Sequence, residues 1–135
     1  MSAAFLDTGY ALALELSNDA NHRAAQDHWR RVSQNLPRLI TTTYVFDEVV
    51  TFFNSRRRHD KAVAVGKMLM TSPSVDLVAV DDALFQEGWA YFSRHNDKTY
   101  SLTDCISFVV MRRRGLDTAF TFDHHFEQAG FRKEP

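Results

Sequence analysis

The 135-residue chain has a single cysteine, Cys105, which excludes an internal disulfide framework and a cysteine-ligated zinc site. Glycine and proline are scarce, five and three, and no segment is long or biased enough to be a linker or a low-complexity region. The spaced glycines of a dinucleotide or P-loop fingerprint are missing; Asp7-Thr8-Gly9 is only a short turn. A G-x-S-x-G elbow is also missing, which argues against serine-based hydrolysis. Charge of one sign does not dominate: 16 basic against 17 acidic residues argue against a protein that simply coats duplex nucleic acid. No apolar run approaches membrane-spanning length. The N-terminus lacks a basic leader, and Asp7 and Glu15 interrupt its apolar stretch, so no signal peptide is expected and the expected location is the cytoplasm.

What the chain does have is a dense apolar complement, 44% hydrophobic with eleven phenylalanines, enough for a real core in one domain spanning 1–135. Its most informative stretch is Tyr100 to Asp123. Ser101 precedes Asp104 by three residues, and an apolar run follows from Cys105 to Met111, which is the signature of a capped helix start. Arg112, Arg113 and Arg114 supply positive charge for the last turn, and Gly115 ends it. Thr118 to Phe122 then predicts a strand with Asp123 at its C-terminal end.

The same alternation runs through the rest. Ala3 to Leu6 predicts a buried strand ending at Asp7, and Tyr10 to Leu16 a helix. A second helix reaches about Val32, Arg38 to Thr42 is the next strand, and Thr43 to Asn54 the next helix. On a helical wheel of that segment Asp47 falls in the polar sector, whereas Glu48 falls inside the apolar arc between Tyr44 and Phe52 and is expected to face the core. Ala62 to Met70 predicts a helix, Val75 to Val80 a third strand, and Ala83 to Arg94 a helix capped by Asp81-Asp82. A short helix follows Asp123, and Gly130 to Arg132 suggests an edge strand. Strands alternating with helices predict an α/β fold with a parallel sheet covered on both faces.

In such a sheet, strand C-termini and the helix starts that follow them share one edge. Asp7, Glu48, Asp104 and Asp123 all map there. Several carboxylates suit Mg²⁺ or Mn²⁺, hard cations that activate water and stabilise charge developing on a phosphodiester. Each acid alone also has a plain structural reading: Asp7 and Asp123 as helix caps, Asp104 as the capping-box partner of Ser101. Arg56, Arg57 and Arg58, like Arg112 to Arg114, serve either as helix-end charge or as phosphate contacts. Tyr44, Tyr100 and Trp89 offer stacking surfaces, with core packing the plainer use for Trp89. His124 and His125 are adjacent, point apart, and read as solvated or partly packed. His22, His28, His59 and His95 have no ligand spacing.

FLDTGYALAL, TTTYVFDEVVTFF and DKTYSLTDCISFVVMRRRGLDTAFTFDHHFEQAGF, in that order, resemble the PIN domain, and more narrowly VapC-type toxins of toxin–antitoxin pairs. The resemblance covers the whole chain. It implies a three-layer α/β/α fold around a small parallel sheet of four or five strands, and a Mg²⁺- or Mn²⁺-dependent endoribonuclease. The family's acids fall on Asp7, Glu48, Asp104 and Asp123, as catalytic metal ligands, with Thr8, Ser101 and Thr121 orienting them. It further implies a homodimer and a VapB-type antitoxin whose tail fills the acidic groove. Two rivals remain: a PIN nuclease of RNA processing without an antitoxin, and a non-catalytic RNA- or protein-binding PIN domain.

Overall fold

β1 (Ala3–Leu6) lies at the centre of a five-stranded sheet, which explains why it is apolar throughout: neighbours flank it on both sides and helices cover both faces. The computed structural model describes residues 2–135. The sheet order is β3 (Val75–Val78), β2 (Arg38–Thr42), β1, β4 (Thr118–Phe120), β5 (Arg132–Glu134), and every neighbouring pair is parallel. Chain order therefore runs outward to one side through β2 and β3, then returns and runs to the other through β4 and β5. The reversal falls between β1 and β4, and crevices at the carboxyl ends of such strands are the ligand sites of open α/β sheets.

Seven α-helices are seen among the described residues, all consistent with the alternation of the sequence. α1 (Thr8–Glu15), α2 (His22–Val32), α3 (Thr43–Ser55) and α4 (His59–Thr71) pack against one another, while α5 (Asp82–Arg94), α6 (Leu102–Arg113) and the short α7 (His125–Gln128) form a second group. No helix there is long and apolar enough to cross a membrane. α6 is the most deeply placed. Seven consecutive residues from Cys105 to Met111 are buried, so the middle of the helix is enclosed on every side, with Ser107 bonding back to the Thr103 carbonyl. α5 closes tightly on it at Gly88, where a Cβ would stand 2.4 Å from Ile106 Cγ1. Only glycine permits that approach. Phe108 and Phe126 meet edge to face with centroids 5.0 Å apart, and Phe5 brings β1 into the same aromatic cluster.

Two sequence expectations about the core need correcting. Trp89 is 51% exposed and stacks on Phe92 on the outer side of α5 instead of entering the core. Tyr100, by contrast, is buried among Tyr91, Phe108 and His125, so its ring is not available to a base. The third and fourth strands are also shorter than predicted, ending at Val78 and Phe120. Val80 bonds through its N–H to the Thr43 hydroxyl rather than to a strand, which releases the chain early.

Candidate active site

The β1–β4 ladder continues one step beyond β1, with the Asp7 N–H donating to the Phe120 carbonyl at 3.1 Å. That step sets Asp7 beside Thr121. Asp7 occupies the N-cap position of α1, yet its side chain makes no cap bond. Its Oδ2 instead accepts from Thr121 Oγ1 at 2.7 Å, and the same hydroxyl accepts from the Asp123 N–H at 3.0 Å. The helix-cap reading of Asp7 therefore fails on geometry. A capping residue has been turned away from its helix and into a cleft.

Asp104 enters from the first turn of α6. The capping box is formed in full: Asp104 N–H donates to Ser101 Oγ at 3.0 Å, and Ser101 N–H to Asp104 Oδ2 at 3.1 Å. Capping fixes this carboxylate at the cleft without using all of its lone pairs. Asp123 caps the start of α7, its Oδ1 accepting from the His125 N–H at 2.9 Å and its carbonyl from the Phe126 N–H at 3.3 Å, while its side chain still lines the cleft.

Glu48 comes from α3, whose start is fixed by Thr42 Oγ1 accepting from the Val45 N–H. Here the wheel argument needs correction. Glu48 is exposed and faces the cleft rather than the core, and Thr8 Oγ1 donates to its Oε1 at 2.7 Å. The flanking Tyr44 and Phe52 are only half-buried, so that side of α3 meets an opening rather than the core. Asp47 lies outside the cleft and accepts from Thr51 Oγ1.

All four acids thus line one open depression of about 430 Å³, together with Thr8, Ser101, Thr99 and His125. A second cavity, of about 350 Å³ and apolar, lies among α1, α2 and α4. Its one acid, Glu15, is paired with Lys61 at 2.6 Å, so the chemistry belongs to the acidic depression.

Electrostatics agree with that choice. Burial pushes the Asp7 carboxyl up to about 7, and the charges of Asp104 and Asp123 push the same way against the Thr121 hydrogen bond. Asp104 is also raised, by burial first and by Asp123 in addition. Carboxyls whose ionisation is opposed first by burial and then by neighbouring carboxylates are a donor set that a divalent cation stabilises.

Sequence reasoning passed over one wall residue, Thr99, and discounted another, His125. The expectation that the adjacent histidines point apart is corrected: their rings lie 4.5 Å apart between centroids and both reach Asp123, but His124 is exposed whereas His125 is 85% buried at its side chain. Its Nε2 meets Thr99 Oγ1 at 2.9 Å. Its Nδ1 is sealed from solvent and lies 3.0 Å from Asp123 Oδ1 and 3.7 Å from Asp104 Oδ2, without alignment for a hydrogen bond to either. The available signal was its position two residues beyond Asp123. A buried nitrogen without a partner beside two carboxylates fits a site built to hold a cation.

The basic clusters separate. Arg112, Arg113 and Arg114 end α6, roughly 15 Å along its axis from Asp104 at 1.5 Å per residue. Arg112 donates to the Ala129 carbonyl and lies over Tyr91 and Phe131, Arg113 pairs with Glu87 at 2.6 Å, and Arg114 with Asp76 at 2.5 Å. Of the two sequence readings, these contacts fit the helix-end one: the three arginines fasten α6 to its surroundings. Arg56 differs. Glu48 and Phe52 on α3 and Arg56 at its C-cap follow one another at four-residue spacing, with the Arg56 guanidinium 4.5 Å over the Phe52 ring. Arg57 takes a left-handed turn with φ 59°, and Arg58 lies 3.8 Å from Asp60.

Comparison with known proteins closes the question of kinship. The chain is 36% identical over 128 residues to the 23S rRNA-specific endonuclease VapC20 of Mycobacterium tuberculosis, covering 94% of each protein. The crystal structure of that VapC20, described as a sarcin–ricin loop cleaving toxin, superposes with a TM-score of 0.85 at 34% identity over 95% of both chains. FitAcB from Neisseria gonorrhoeae shares the fold, with a TM-score of 0.66 at 15% identity and coverage of 98% and 96%. The PIN domain model matches residues 4–132, and the chain accordingly belongs to the PIN-domain family.

Proposed function

We propose that this protein is a divalent-metal-dependent endoribonuclease and the toxin of a VapBC-type pair. The observation that carries the proposal is the redirected Asp7. A residue placed to cap α1 gives up that role and is held by Thr121 in a cleft with three other acids from separate elements. Giving up a cap costs about 1 kcal/mol, and the crowding of carboxylates adds to that. A ligand is what such an arrangement stabilises.

Asp7, Glu48, Asp104 and Asp123 would hold Mg²⁺ or Mn²⁺, directly or through water. A cation bound there supplies a more acidic water and neutralises negative charge on a phosphodiester. The chain's own groups do the positioning. Thr8 orients Glu48, Thr121 orients Asp7 and fixes the backbone of Asp123, and the capping box with Ser101 orients Asp104. The open form of the depression admits a polymer. Arg56, about 12 Å along α3 from Glu48 at 1.5 Å per residue, is placed for a neighbouring phosphate. Its stacking on Phe52 keeps the guanidinium ordered while leaving its donors free for phosphate.

RNA is the substrate in this reading, and the 23S rRNA cut by VapC20 is the first one to test. A VapB-type antitoxin and a second copy of the chain are the partners, and the cytoplasm, where ribosomal RNA is found, is the site of action. The test is incubation of the purified protein with 23S rRNA in Mn²⁺, in Mg²⁺ and in chelator. Cleavage with either metal, abolished by chelator and by Asp7→Asn or Asp104→Asn, is expected. Cleavage that persists in chelator overturns the metal, and intact RNA in every condition overturns the nuclease.

A further inference from the structure

We propose that His125 Nδ1 is a metal ligand beside Asp123 Oδ1, so that the site contains a nitrogen donor and favours Mn²⁺ over Mg²⁺ more than carboxylates alone would. This rests on the metal-dependent reading above and extends it to a residue outside the four acids.

Three observations converge. First, the ring is held in place. Thr99 Oγ1 takes Nε2 at 2.9 Å, and Tyr100 packs edge to face on the imidazole at 5.4 Å between centroids. Metal-bound histidines are typically fixed through the other nitrogen in this way. Second, Nδ1 is buried and has no hydrogen-bond partner. In the tautomer in which Nε2 donates to Thr99 Oγ1, Nδ1 presents a bare lone pair to carboxylate oxygens 3.0 and 3.7 Å away. Lone pairs facing one another at such distances repel unless a proton or a metal ion lies between them. Third, the 3.0 Å separation has the right size. Two cis ligands of an octahedral ion with bonds of ~2.1 Å stand ~3 Å apart. His125 Nδ1 and Asp123 Oδ1 span such an edge, with Asp104 Oδ2 adjacent.

His124 provides the internal contrast. Its Nδ1 is 3.8 Å from Asp123 Oδ1, and its side chain is 70% exposed with no partner fixing the ring. It therefore lacks the preorganisation that His125 has. Carboxylate and water suffice for both Mg²⁺ and Mn²⁺, but Mg²⁺ keeps to oxygen ligands, whereas a first-row transition ion also accepts imidazole nitrogen. An added nitrogen therefore tilts the balance of the whole site toward Mn²⁺.

The experiment uses Mn²⁺ itself as probe, read by pulsed electron paramagnetic resonance for the modulation of a directly bonded ¹⁴N, alongside calorimetric titration of Mn²⁺ and Mg²⁺. The wild-type complex should show ¹⁴N coupling. His125→Phe, which preserves the packing on Tyr100, should lose it, and Mn²⁺ affinity should fall about tenfold to a hundredfold, with Mg²⁺ affinity falling less. His124→Phe should keep both coupling and affinity. Bound Mn²⁺ without nitrogen coupling in the wild type overturns the inference and leaves the nuclease reading standing, whatever the variants do. Coupling lost in His124→Phe and kept in His125→Phe overturns it in favour of the neighbour. A wild-type protein that binds no Mn²⁺ overturns this inference and the metal-dependent function together.

Discussion

Removing the charge of Asp7 should stabilise the metal-free protein, and should do so only above mildly acidic pH. The Asp7 carboxyl is raised from 3.8 to about 7, chiefly by burial and further by Asp104 and Asp123. Between those values the folded protein keeps the proton that the unfolded chain has released. The contribution of Asp7 to stability is then fully present below about pH 4 and is lost as pH rises through about 7. Each pKa unit corresponds to about 1.4 kcal/mol, so the whole loss amounts to roughly 4 kcal/mol. Asn keeps the oxygen that accepts from Thr121 and carries no charge. In chelator at about pH 4, Asp7→Asn and the parent should unfold at the same denaturant concentration. By about pH 8 the variant should be the more stable by up to roughly 4 kcal/mol, or on the order of 10 °C in a chain of this length. Saturating Mn²⁺ should restore the parent, by about 2.7 kcal/mol at a hundredfold excess over the dissociation constant, and do much less for the variant. The assay is a urea unfolding series for both proteins at several pH values, taken as the difference at each pH so that other groups cancel. A difference that does not change with pH would refute the account of a proton held by crowded, buried carboxyls.

Three further outcomes follow from the same geometry. Thr121→Val removes the hydroxyl shared by Asp7 and the Asp123 N–H; it should cost about 1–3 kcal/mol in a denaturant titration and lower the cleavage rate. Arg56→Ala should weaken RNA binding and flatten its salt dependence by about 0.7 log units per log unit of salt, while Arg113→Ala should leave the slope unchanged. Gly88→Ala forces a methyl against Ile106 and should destabilise by about 1–3 kcal/mol in a thermal melt, without changing the pH dependence traced to Asp7.

The fold was legible because its signals are local. Ala3 to Leu6 is uniformly apolar because β1 is covered on both faces, and Ser101 with Asp104 announces a capping box that forms with both bonds. The strand order was not written in any local pattern, since pairing of β1 with β2 and β4 depends on contacts across the whole chain. Periodicity placed Glu48 on a particular side of α3 but could not tell whether that side meets the core or an opening. The answer depends on where α1 ends its approach, at Thr8. For Arg112 to Arg114 the sequence displayed charge but not partners, and Glu87, Asp76 and the Ala129 carbonyl lie 17 to 38 residues away. His125 was discounted because adjacent histidines are expected to point apart, whereas these two rings lie 4.5 Å apart between centroids. Which of the two turns inward is decided by Thr99 and Tyr100, on a loop that sequence alone does not position.

Asp47 and Glu48 offer the most direct test of the central claim, since they are adjacent, acidic and exposed on one helix, and only Glu48 reaches the cleft. Glu48→Gln and Asp47→Asn remove the same charge one residue apart. Single-turnover cleavage of RNA in Mn²⁺ by the parent and the two variants should show activity lost in Glu48→Gln and nearly intact in Asp47→Asn, with both variants folded by circular dichroism. Equal activity in the two variants, whether both retained or both lost, would contradict a metal-dependent site built from these four acids.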